Sequence, residues 1–131
     1  MDECIFCKII KGTIPVAKIY EDDEILAFLD IKPVNHGHAL VIPKKHYEKM
    51  ESAPDEVVAD VFIGAKKLMG VIKEAVSADF VVLSVVGIDV PHFHVHLIPR
   101  YFNDKMPVFW PRKEYKEGEK EIVAEKIKKF L

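Results

Sequence analysis

The run His92-Phe93-His94-Val95-His96 alternates imidazole with apolar side chain and continues into Leu97-Ile98-Pro99. Alternate residues of a strand point to the same side, so the three histidines would form one row, roughly 6.6 Å apart. Phe93, Val95 and Leu97 would then face the opposite side, into a core. Three imidazoles on one pleat are a poor choice for packing, because each carries two nitrogens that need partners. They suit chemistry near neutral pH, where histidine serves as nucleophile, acid, base or metal ligand.

The rest of the chain supplies partners for such a strand. Ala17 to Glu21 and Ile25 to Leu29 are short apolar-rich runs split by Glu21-Asp22-Asp23-Glu24, which reads as a hairpin turn between antiparallel strands. Lys32-Pro33-Val34-Asn35-His36-Gly37 reads as a loop, and Ala39-Leu40-Val41-Ile42-Pro43 as a third strand. Ser52-Ala53-Pro54-Asp55 reads as a helix start capped by Ser52. Beyond it Val58, Val61, Phe62, Ala65, Leu68, Met69 and Ile72 recur at three and four, predicting a long amphipathic helix to about Val76 whose stripe is core. Phe80 to Val86 and His92 to Ile98 are two further strands, and Glu119 to Leu131 a second helix with a solvated charged face. The expected architecture is an α+β domain spanning 1–131, an antiparallel sheet of about five strands with a long helix and a C-terminal helix.

A chain of 131 residues is long enough to bury a core without disulfides. Its net charge of −2 gives no reason to expect a nucleic-acid surface. No apolar run approaches the ~20 residues needed to span a membrane, and no basic-then-apolar leader opens the chain, so a cytoplasmic location is the expectation. The two cysteines, Cys4 and Cys7, stand two residues apart, the gap of a metal half-site or a redox pair in a reducing compartment. A structural zinc usually takes four ligands, so two more would have to come from elsewhere, with histidine the favoured donor.

All six histidines fall in two stretches: His36, His38 and His46 around the third strand, and the triplet. The triplet admits three readings. Its imidazoles chelate a catalytic zinc that activates water, or His94 attacks phosphorus with its neighbours handling charge and protons, or the row only binds a metal or nucleotide. Spacing alone leaves all three open.

With Cys4-Ile5-Phe6-Cys7-Lys8-Ile9-Ile10, Leu26-Ala27-Phe28-Leu29-Asp30-Ile31-Lys32-Pro33, Gly37-His38-Ala39-Leu40-Val41-Ile42-Pro43-Lys44-Lys45-His46 and the triplet strand through Arg100, the chain resembles the histidine triad (HIT) superfamily, in its zinc-bearing phosphoramidase-like branch. The resemblance implies the HIT-like fold, usually paired as a homodimer, and it implies a nucleophile. His94 matches the residue that attacks the α-phosphorus of a purine nucleotide conjugate, of AMP or GMP, forming a nucleotidyl-histidine that water hydrolyses. His96 would sit by the phosphate and leaving group, and His38 would line the same phosphate site. Asp30 matches the carboxylate that binds the ribose hydroxyls, with Phe28 and Ile31 lining the base pocket. Cys4, Cys7, His46 and His92 match the ligands of a closed, structural zinc site in zinc-bearing members. Dinucleoside polyphosphate hydrolysis and nucleotide binding with weak turnover are the alternatives.

One stretch departs from the relatives. Where many carry Gly-Gln-Ser or Gly-Gln-Thr before the triplet, this chain has Gly87-Ile88-Asp89-Val90-Pro91. Ile88 cannot donate a hydrogen bond, and an ionised Asp89 repels an anionic substrate. Arg100 is a candidate substitute cation, with a solvated arginine as the plainer reading. Trp110 is either a cap on the nucleotide pocket or a packing residue.

Overall fold

A computed structural model describes residues 3–131. The first two strands form a hairpin: β1, Lys18–Glu21, turns into β2, Ile25–Leu29. Asp22 makes that turn, its Oδ1 accepting the amides of Glu24 at 2.8 Å and Ile25 at 2.9 Å. This is the local side-chain bonding that favours Asp in turns. Strand β3, Ala39–Pro43, lies against β2, and β4, Phe80–Ser84, and β5, Val95–Arg100, complete an antiparallel sheet of order β1-β2-β3-β5-β4. The expected α+β architecture, with five antiparallel strands, is the observed one.

The sheet has an apolar layer on each face. On one side lies the long helix α2, Asp55–Ala75, which buries Val61, Ala65, Leu68 and Ile72 against Ala27, Ala39, Val41, Phe93, Val95 and Leu97. Val58, Phe62 and Met69 pack at its margin, so the predicted stripe is core. On the other side the short helix α1, Ile5–Ile10, places Phe6 and Ile9 over Leu26, Phe28, Leu40 and Ile42. The period of two along each strand divides its residues between these layers.

Several boundaries differ from the sequence expectation; β1 begins at Lys18 rather than Ala17, β5 runs to Arg100 rather than Ile98, and the C-terminal helix stops at Lys128 rather than Leu131. Ser52 does not cap α2; it closes a short 3-10 turn, Met50–Ser52, donating its hydroxyl to the Lys49 carbonyl at 2.9 Å. Pro54 stands at the cap instead, and its carbonyl takes the amides of Val57 and Val58. Strand β4 stops at Ser84 rather than Val86. The triplet strand begins at Val95 rather than His92. In the β3–β5 register Val41 faces Val95, which puts Pro43 opposite Phe93. Proline has no amide to donate, and Phe93 N–H goes to the Tyr47 carbonyl instead. The alternation of sides nonetheless continues back to His92, with Phe93 and Val95 in the α2 core.

The C-terminal helix α3 spans Glu119–Lys128 and buries none of its residues; Ile122 and Ile127 are exposed, as is Phe130 beyond its end. Among the described residues no helix is long and apolar enough to cross a membrane.

Candidate active site

The face of the sheet opposite α2 collects Asp30, His38, His46, the triplet and the two cysteines. His38 precedes Leu40 and Ile42 in β3, and Asp30 follows Leu26 and Phe28 beyond β2. His92, His94 and His96 alternate with the core residues Phe93, Val95 and Leu97. The imidazoles form two runs, His46–His92 and His94–His96–His38, with the Phe6 ring against both His92 and His94. Ring centroids lie 4.9 Å apart for His46–His92, 5.0 Å for His94–His96 and 5.2 Å for His38–His96. His36 takes no part among these contacts.

One end of the row is a closed cluster. Cys4 Sγ lies 3.4 Å from His92 Nδ1, Cys7 Sγ 3.3 Å from His46 Nδ1 and 3.6 Å from His92 Nδ1, and the two Nδ1 atoms are 3.2 Å apart. Donor atoms around a tetrahedral zinc with bonds of about 2.0–2.3 Å are separated by roughly 3.3–3.8 Å, so the four groups fit such an ion. Two further features suit a cation. His92 Nε2 donates to the Pro43 carbonyl at 2.9 Å, which turns the lone pair of Nδ1 toward the sulfurs. The Cys7 amide points at Cys4 Sγ at 3.4 Å. Burial, together with the neighbouring Cys4, pushes the Cys7 thiol up, against the opposing pull of Lys11.

His94 occupies the centre of the row with 1% of its surface exposed. Its Nδ1–H donates to the His92 carbonyl at 2.7 Å, leaving Nε2 as the free-base nitrogen. That Nε2 is buried and has no hydrogen-bond partner among the described residues. Asp89 Oδ1 stands 3.4 Å away, out of line for a hydrogen bond. The ring is held by Phe6, edge-on at 5.0 Å, the same phenylalanine that packs on His92 and Phe28.

The other end of the row is a relay. The Val34 amide donates to His38 Nδ1 at 3.1 Å, so in neutral His38 the proton sits on Nε2. Nε2 lies 3.0 Å from His96 Nδ1 and donates to it. Neutral His96 therefore carries its proton on Nε2, available to an incoming group. Burial lowers the pKa of both His38 and His96, for His96 with help from His94 and His38, and keeps the relay neutral at pH 7. Asp30 Oδ1 accepts the Lys32 amide at 2.9 Å, and Oδ2 lies 3.7 Å from His38 Nε2. Ile31 beside it is 85% exposed, whereas Phe28 is buried in the α1 core.

Arg100 fills neither role that the sequence offered it. The side chain is buried and forks onto Asp104 at 2.6 and 3.1 Å, and Nη2 also reaches the carbonyls of Met106 and Pro107. Asp104, held well below the usual carboxylate range by that guanidinium, also accepts the Tyr101 and Met106 amides. The pair fastens the turn after β5 and leaves no cation for a substrate. Trp110 is exposed beside Phe109, over a cavity of about 380 Å³ that Val34, Val82 and Pro107 also line. Glu48 and Glu51, absent from the sequence reading, line another cavity that His94 borders. Two acids in a polar turn carried no signal of it.

Known proteins resemble this chain in sequence and in fold. The HIT domain family matches residues 11–103. A HIT-like protein of Methanocaldococcus jannaschii is 47% identical over 105 residues, covering 77% of this chain and 81% of that protein. Adenosine 5'-monophosphoramidase of Schizosaccharomyces pombe is 40% identical over 129 residues, covering 95% of each. A zinc-bound histidine triad protein of Mycobacterium smegmatis superposes with a TM-score of 0.77 at 28% identity, covering 99% of each chain.

Proposed function

The chain belongs to the HIT domain family, and from that premise we propose that it is a nucleotide hydrolase that cleaves purine nucleotide conjugates at the α-phosphate through a nucleotidyl-His94 intermediate. The observation that carries the reading is the state of His94: Nδ1–H is tied to the His92 carbonyl, and the opposite nitrogen is buried, lone pair bare, with no partner. A desolvated nitrogen without a hydrogen bond is a strong nucleophile held in one orientation. The adenosine 5'-monophosphoramidase among its relatives favours an adenylate with an amine leaving group.

In this reading His94 Nε2 bonds to phosphorus as the bond to the leaving nitrogen breaks, and the proton on His96 Nε2 passes to that nitrogen. Water then cleaves the P–His94 bond, releases the nucleoside monophosphate and returns a proton to His96. Asp30 binds the ribose hydroxyls, with Ile31 against the base and His38 and His96 at the phosphate. Phe28, buried under α1, supports that wall from behind.

Cys4, Cys7, His46 and His92 hold zinc, a reading supported by the size of the donor set and by the zinc-bound relative. With four protein donors the ion has no open position, so its part is to fix α1 and the His92 carbonyl that orients His94. Two cysteines only two residues apart, Cys4 and Cys7, suit a metal pair in a reducing compartment such as the cytoplasm. The bare apolar residues of α3 and the exposed Phe109 and Trp110 support assembly as a homodimer.

Incubation with adenosine 5'-phosphoramidate is expected to release AMP, and acid-quenched protein to carry an adenylyl mass on His94. Substitution His94→Ala should lower kcat/KM by at least 10⁴, the scale lost with a covalent nucleophile. Turnover surviving in that variant would overturn the assignment.

A further inference from the structure

Asp89 belongs to the stretch before the triplet where this chain leaves the family pattern. Its Oδ1 lies 3.4 Å from His94 Nε2. Because His94 Nδ1–H is tied to the His92 carbonyl, both facing atoms are acceptors, two lone pairs turned toward one another. Such a pair calls for a positive centre between them. A proton needs a near-linear path from nitrogen to oxygen, and this pair is out of line for a hydrogen bond. A metal ion has the opposite requirement, because its donors converge from different directions. With bonds of about 2.1 Å they stand about 3.0 Å apart at right angles and about 3.4 Å apart in a tetrahedron.

His96 supplies a third donor. One donor atom from each of Asp89, His94 and His96 lies within 4.8 Å of the other two. His38 donates to His96 Nδ1, so His96 meets an ion with Nε2, releasing its proton to do so. Two imidazoles and one carboxylate are a donor set that holds divalent transition metals and leaves other positions open. Asp30, His38 and His96 are grouped as closely, but their donors are spent. The Val34 amide occupies His38 Nδ1, His38 Nε2–H goes to His96, and Asp30 Oδ1 takes the Lys32 amide. His94 Nε2, by contrast, is buried and bare.

We propose that Asp89, His94 and His96 form a second metal site, for a divalent transition-metal ion, distinct from the cluster of Cys4, Cys7, His46 and His92. Lacking a thiolate and having three protein donors rather than four, it is the weaker of the two, filling second and emptying on dialysis. Its consequence rests on the hydrolase reading above. An ion here takes the lone pair with which His94 would attack phosphorus, so metal and substrate exclude one another and free metal turns the reaction off.

The test uses the full chain loaded with one zinc per chain and titrated with Co²⁺, since the thiolate cluster favours zinc. Calorimetry should find one Co²⁺ bound per chain, and the paramagnetic ion should broaden the ring NMR signals of His94 and His96. Asp89→Asn should weaken that binding by about tenfold or more, the loss already usual for a partner outside the ligand shell. Hydrolysis of adenosine 5'-phosphoramidate should fall with the same Co²⁺ midpoint and return after dialysis. Asp89→Asn keeps both histidines, so it should turn over without added metal and lose the inhibition. No second ion bound, equal affinity in Asp89→Asn, or full turnover with the site filled would each overturn the proposal. Binding weakened by Asp30→Asn but not by Asp89→Asn would overturn it in favour of the neighbouring group. If the metal-free site shows no turnover at all, the hydrolase reading fails, and the Co²⁺ titration and ring signals still decide the site.

Discussion

Val34 sets the tautomer of a histidine that it does not touch. Its amide donates to His38 Nδ1, His38 Nε2–H donates to His96 Nδ1, and the proton of His96 is left on the side open to a substrate. Each link is neutral because burial disfavours the imidazolium. Removing the middle of this chain should therefore damage proton delivery more than binding. His38→Ala is expected to lower kcat by about 10²-fold, within the range for a general acid. The loss should grow as the leaving amine becomes more basic and needs its proton more. His38→Gln, whose amide still donates toward Nδ1, should recover most of it. A uniform loss across leaving groups, or no recovery with glutamine, would mean that His38 acts only by filling space. Nothing in the sequence spoke of this direction of donation. The histidines and their spacing were legible there; the tautomers depend on a loop amide whose position only the folded chain defines. Arg100 teaches the same point from the other side. An arginine after a catalytic strand offered two roles, and neither holds, because Asp104 four residues on folds back to it.

Helix α1 is six residues long, too short to persist by itself in water, and its packing decides whether it exists. Phe6 and Ile9 hold it to β2 and β3, while Cys4 and Cys7 bind its start to His46 and His92. Through Phe6, the element that carries Cys7 also seats His94. Zinc added to metal-free protein at one equivalent should bind there and raise the unfolding temperature by several degrees, at roughly 4 °C per kcal/mol of binding stabilisation. Cys4→Ser should abolish both changes, as seen by metal content and calorimetry. Metal retained in Cys4→Ser but lost in His94→Ala would instead place the ion on the triplet. At this scale the sequence was informative where a period existed. The stripe of α2, the hairpin acids and the alternation from Phe93 to Leu97 all lie where their spacing put them. It was less so where one residue far away ends a pattern: Pro43 lies opposite Phe93 and removes the ladder bond that would have carried β5 back to His92. The Ser52 cap failed for a comparable reason. Lys49 offers its carbonyl three residues back, and the hydroxyl goes there, leaving the helix to begin after Pro54.

Across the whole molecule the sheet separates an apolar layer under α2 from a layer in which imidazoles lie buried beside Leu40 and Phe28. That arrangement links folding to pH. His38 and His96 have native pKa values depressed below the ordinary 6.5, so in weakly acidic solution the unfolded chain binds protons that the native chain does not. Stability is then fully present above pH 6.5 and falls as pH drops below it, until each native pKa is passed. Each such histidine adds a slope of up to about 1.4 kcal/mol per pH unit in that window. The carboxylates act later. Glu21, lowered to about 2 by Lys18 and Lys44, and Asp104, held by Arg100, lose their contribution only below the ordinary carboxylate range near pH 4. Acid unfolding should thus proceed in two stages. The upper one is assigned by subtraction, because His46 and His92 are common to both proteins compared. Denaturant unfolding of the wild type and of His38→Gln, each at matched zinc from pH 7.5 to 5, should show the wild type losing stability more steeply below pH 6.5, by up to that single-histidine slope. Parallel curves would mean that His38 takes up its proton as readily in the fold as outside it, and the neutral relay to His96 could not stand.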